Sequence, residues 1–111
     1  MNISKEFIDN LNVLKNEKTS TEEMIFDLAI KYTDISSQIN KSTTQKPYLE
    51  YFKMHKDFIN FMNSAIEKID SSQSKLTCIK IKLSIVEIHD SIKKEYHRKN
   101  NFIQNLALRF L

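Results

Sequence analysis

Apolar side chains recur along this chain at helical spacing, most regularly where Tyr48, Phe52, His55, Ile59, Met62, Ile66 and Ile69 alternate steps of four and three. That is the heptad rhythm of a helix packed lengthwise against others. Tyr51, Phe58 and Ala65 run beside this seam at seven-residue intervals, widening the stripe to the breadth of a core-facing bundle helix. The pattern predicts a helix over about 47–70, with Phe52, Ile59 and Ile66 in the core. Five of the eleven aromatic residues fall in it.

Two further amphipathic segments precede it. Ile3, Phe7, Ile8, Leu11 and Leu14 predict a short helix over about 4–17, with Ser4 as its N-cap and Glu6 in the first turn. Thr19, Ser20 and Thr21 interrupt the pattern, and Ser20 with Glu23 matches a capping box that opens a second helix over about 21–40. Its expected buried stripe is Met24, Leu28, Tyr32, Ile35 and Ile39. The polar run from Lys41 to Lys46 then forms a linker ending at Pro47, a residue tolerated in a first helical turn because its missing N–H has no partner there.

Beyond the turn expected at Asp70 to Ser74, residues 79–85 alternate apolar and polar, which is strand periodicity. A strand needs a partner, and no other segment offers one. Read as a helix over about 74–99, the segment carries two apolar rows on different faces: Leu76, Ile79, Leu83 and Val86, and Cys78, Ile81, Ile85, Ile88 and Ile92. A helix gripped between neighbours has that appearance. Asn100 and Asn101 are expected to end it, leaving a short terminal helix over about 102–110. The fold class is therefore all-α, an antiparallel helical bundle with coiled-coil-like packing. Three long helices and one or two short ones make a single domain of 111 residues.

Composition narrows the function more than it defines it. The chain has no glycine and one proline, which removes the glycine-dependent phosphate loops, dinucleotide fingerprints and nucleophile elbows. No uncharged stretch approaches the length of a membrane span, and an acid at Glu6 interrupts any leader-like run. The lone Cys78 has no intrachain disulfide partner, which points to a reducing, cytoplasmic setting.

Net charge is +3 and lies unevenly: residues 75–111 hold eight Lys and Arg against three Asp and Glu. Lys82, Lys93, Lys94, Arg98 and Lys99 form a candidate basic stripe toward the C-terminus. Only two of the seventeen cations are arginine, which argues against sequence-specific reading of nucleic acid. His55, His89 and His97 do not show the four-residue spacing of helical metal ligands. His55, on the seam, is a candidate buried imidazole that titrates near pH 6 to 7. Neither a catalytic residue nor a cofactor or metal site is expected.

So many apolar rows exceed what one short bundle hides. The expected function is a non-enzymatic protein–protein interaction module, a small helical subunit or adaptor. Its partner is another helical protein or a second copy of itself, and Ile81, Ile88, Phe102 and Phe110 are the candidate anchors. The alternative is a helical nucleic-acid-binding protein that uses the basic C-terminal third.

Overall fold

Helices in a chain without glycine must begin and end by other means. In the computed structural model, which describes residues 4–15 and 20–110 and the side chains of 4–15 and 21–100, the starts of α1, α3 and α4 and the ends of α2 and α3 show how. The helices are α1 (Lys5–Lys15), α2 (Ser20–Ile39), α3 (Gln45–Glu67) and α4 (Ser72–Phe110).

Ser4 Oγ accepts the Phe7 N–H at 3.2 Å, and Ser71 Oγ accepts the Ser74 N–H at 3.3 Å, so hydroxyls open α1 and α4. Thr44 precedes α3 in extended conformation, and Pro47 falls in the first turn. The capping box expected at Ser20 involves a side chain outside the described residues. No described residue has positive φ, so the left-handed closure common at helix C-termini is absent among them. Tight turns replace it: Lys41 N–H to Gln38 O and Ser42 N–H to Ile39 O end α2, while Lys68 N–H to Ala65 O and Ile69 N–H to Ile66 O end α3.

Consecutive helices run in opposite directions. Tyr48 meets Tyr96 and His55 meets His89, which sets α3 antiparallel to α4. Asn40, just past the end of α2, lies beside Lys99, and Ser4 and Phe7 lie beside Ser84 to Glu95. The bundle is flattened: α2 and α4 meet across the middle, whereas α1 and α3 occupy opposite edges without touching. Its extents are 59 × 25 × 17 Å, the long axis matching the roughly 58 Å of a 39-residue helix.

All four helices feed one core, in which Phe7, Leu14, Ile25, Tyr32, Met62, Ile81, Ile85 and Ile92 are all but sealed from solvent. Residues 78–86 are helical, and no strand occurs among the described residues. The break expected at Asn100 and Asn101 does not occur, because α4 continues to Phe110. Asparagine disfavours a helix by only a fraction of a kcal/mol per residue, too little to stop one without glycine or proline.

Three expected stripes are displaced. On α2 the buried row is Ile25, Ala29, Tyr32 and Ser36, with Leu28, Ile35 and Ile39 at its margin, and Met24 faces outward. On α3 the flanking row Tyr51, Phe58 and Ala65 is buried with Tyr48, Met62 and Ile66, whereas Phe52, His55 and Ile59 are half-buried. The core lies between the two α3 rows, so the seam is turned toward the edge of the bundle. On α4 only one of the two rows is gripped.

Candidate functional site

The row Cys78, Ile81, Ile85, Ile88 and Ile92 faces the core. The candidate anchors Ile81 and Ile88 are therefore packed inside the bundle. The side chains of Phe102 and Phe110 lie outside the described residues. The other row is on the surface: Leu76 is 53%, Ile79 38% and Leu83 57% exposed, with Val86 half-buried next to them. At 100° per residue, Leu76, Ile79 and Leu83 fall within about 60° of arc on the outer face of α4. Packing explains the exposure. α1, α2 and α3 all pack against α4, and its buried residues Cys78, Ile81, Ile85, Ile88 and Ile92 lie on the half of the helix opposite this row.

Charge frames this apolar face. Between Ser72 and Glu87, α4 carries Lys75, Lys80 and Lys82 against the single acid Glu87. Lys75 and Lys82 fall on the α3 side of the row and Lys80 on the α1 side.

The basic residues farther along α4 do not form one stripe. Lys99 is engaged inside the fold: its Nζ donates to Asn40 O at 2.9 Å, Ser42 O at 2.8 Å and Tyr48 Oη at 2.6 Å. It thus satisfies carbonyls that follow the end of α2 and ties them to α3, a capping role. Arg98 forms a bidentate contact with Glu95, one turn earlier on the same exposed face. Lys82 is half-buried on the α3 side, and Lys94 is exposed on the outer face. Lys93 belongs to a different feature.

That feature is a cleft of about 370 Å³ between α3 and α4, lined by Leu49, Phe52, His55 and Lys56 from α3 and by His89, Lys93, Tyr96 and His97 from α4. His55 of α3 meets His89 and His97 of α4 here because α3 and α4 are antiparallel. His55 and His89 stack with ring centroids 3.7 Å apart and planes 4° from parallel. Phe52 stands edge-on to both His89 and Tyr96.

Behind the pair lies a polar chain within the core. Tyr51 and Tyr32 share a hydroxyl–hydroxyl hydrogen bond, and Tyr32 Oη lies 2.7 Å from His55 Nδ1. With one proton per hydroxyl, we assign the direction Tyr51 to Tyr32 to His55, the imidazole accepting at Nδ1 in its neutral form. Burial accounts for the electrostatics. It pushes His55 down to about 4, assisted by the like charge His89 would carry and opposed by Asp90. His89 is lowered too, by burial and by Lys93, against Asp90. The titration near pH 6 to 7 expected for His55 is thus moved to lower pH. Tyr32 and Tyr51 are raised, chiefly by burial, and stay protonated.

Parallel stacked imidazoles direct their in-plane lone pairs along separate planes, so they do not converge on one ion. Among the described residues, no group of three or more His, Cys, Asp and Glu side chains could hold a metal. Cys78 is buried in the core, where burial and then Glu22 push its thiol up to about 11. It is a packed thiol rather than a thiolate.

No helix among the described residues is long and apolar enough to cross a membrane. Compared with known proteins, the chain matches no family model, no curated protein and no solved structure, so its functional reading rests on the geometry above.

Proposed function

We propose that this chain is a non-enzymatic interaction module that docks an amphipathic helix of a protein partner, one with an acidic rim, on the outer face of α4. The observation that carries the reading is the exposed row Leu76, Ile79 and Leu83. Helix-in-groove partners use i, i+3, i+7 anchors of this kind. Lysines on both sides of the row select the partner. A second copy laid on the same face would set lysine against lysine, whereas glutamates at the edges of a foreign helix would complement them. The buried, unpaired Cys78 fits a reducing, intracellular setting.

Nucleic-acid binding has weaker support. Of the five cations in the candidate stripe, Lys99 is spent on carbonyls and Arg98 on Glu95. Of the rest, Lys82 and Lys93 lie on the α3 side and Lys94 on the outer face, so no continuous stripe of the five remains.

The test is site-specific photo-crosslinking in the native cells from a reactive residue at position 83, with one at exposed position 23 on α2 as control. A single protein species captured from position 83 and not from position 23, and lost on adding Leu76→Gln and Ile79→Gln, supports the reading. Capture of the chain's own copies would favour self-association, and capture of nucleic acid the alternative; either overturns the reading. Equal capture from both positions overturns it as well.

A further inference from the structure

The cleft between α3 and α4 has a composition that the docking face does not explain. Its lining holds two lysines and three histidines and no carboxylate. Lys56 and Lys93 stand on opposite walls, both exposed, and the only salt bridge among the described residues is Arg98 with Glu95. An anion in the cleft would therefore meet an ammonium group from each wall.

The apolar part is equally specific. Phe52 and Tyr96 meet edge to face at 5.3 Å and 87°, so the two rings present differently oriented surfaces to the same space, with Leu49 beside them. Flat, electron-rich rings of this kind favour a planar ligand. His89 also lines the cleft, and its Nδ1 has no hydrogen-bond partner among the described residues. A volume of about 370 Å³ lies near the lower end of the range for small-molecule sites.

We infer that this cleft binds a small organic phosphate carrying a planar ring, the anionic group held between Lys56 and Lys93 and the ring against Phe52 and Tyr96. A mononucleotide is the simplest molecule of that class. The inference goes beyond the docking reading and is independent of it, because the row at 76–83 contributes nothing to the cleft.

The experiment is a titration of the full chain with adenosine monophosphate at low salt, followed by the ring proton resonances of Phe52, Tyr96 and His89. Parallel arms use adenosine, inorganic phosphate and a ten-nucleotide oligoadenylate. The expected result is saturable shifts at those three rings, weakened at least about tenfold by the double variant Lys56→Gln with Lys93→Gln, as for loss of paired charges. Adenosine and phosphate each bind at least about tenfold more weakly than the joined molecule, because each forfeits half the contacts. Both lysines are exposed, so the variant keeps its fold, which its amide spectrum verifies. Absence of saturation by about 10 mM nucleotide overturns the inference, since that lies beyond millimolar affinity. Equal binding by the variant, or phosphate alone binding as well as the nucleotide, overturns it also. An oligoadenylate bound more than about tenfold tighter than the mononucleotide replaces it with a single-strand site.

Discussion

His55 and His89 stack face to face across the α3–α4 interface, 3.7 Å apart at the ring centroids. With Tyr32 bonded to His55 behind the stack, the contact joins three helices through one imidazole. A stack of two rings this close favours the neutral pair, because protonating both would place like charges in contact.

Stability should therefore depend on pH through this pair. The folded-state pKa of His55, about 4, lies below the ordinary 6.5, so on acidification the unfolded chain takes up the proton first. The stabilising effect is complete above pH 6.5 and is lost as pH falls from 6.5 toward 4. Around the pair stand Tyr32 from α2, Tyr51 and Lys56 from α3, and Asp90 and Lys93 from α4. The expected loss for His55 is about 1 to 2 kcal/mol, discounted because the imidazole is half-open to water. Urea denaturation at pH 8, 7, 6 and 5 checks it. A His55→Gln variant should show a shallower decline below pH 6.5, and an unchanged one would show that the pair is not the source.

Lys99 takes the place that glycine fills at many helix ends. Its three donors go to Asn40 O, Ser42 O and Tyr48 Oη, so Lys99→Met removes the partner of all three acceptors while keeping most of the side chain's bulk. The expected cost is about 1 to 3 kcal/mol, the range for buried groups left unsatisfied. Lys94→Met, on the exposed face of the same helix, should stay within about 0.5 kcal/mol. Thermal and urea melts of the two variants make the comparison. Equal effects would mean that the Lys99 contacts are not held in solution.

Much of the fold was legible in the sequence, for physical reasons that also mark where the reading failed. The helical spacing over α3 and the hydroxyl at Ser4 are local signals, and the helix and the cap appear as expected. Periodicity shows that a helix has an apolar stripe, but neighbours decide which edge of a broad stripe is buried. So Phe52 and Ile59 lie half-open while Tyr51 and Phe58 are sealed. The alternation at 79–85 concealed a helix with opposed apolar faces, one row inside and one outside. The cleft was not legible at all. His89 and His97 lie two turns apart on α4, but His55 belongs to α3, and only the antiparallel register of α3 and α4 brings it to them. Nor does any local pattern show that Lys99 would reach across to residues 40 and 42.

The two apolar rows of α4 differ in environment although their members lie only two residues apart, and that contrast gives the most direct mutational test of the arrangement. Ile81 is fully buried between the helices, so Ile81→Ala should cost about 2 to 5 kcal/mol through lost contacts and the cavity left behind. Leu83 is 57% exposed, so Leu83→Ala in the isolated chain should cost less than about 1 kcal/mol, because only part of its surface leaves contact. Ile59→Ala, on the half-open seam of α3, should fall between them. Urea melts at neutral pH give the three values on one scale. The order Ile81, then Ile59, then Leu83 is the expected outcome. If Leu83→Ala were as costly as Ile81→Ala, the outer face of α4 would already be covered in solution by self-association. Sedimentation equilibrium would then show a dimer that Leu83→Ala dissociates, and the outer row would be an interface between copies rather than a face held open for a foreign helix.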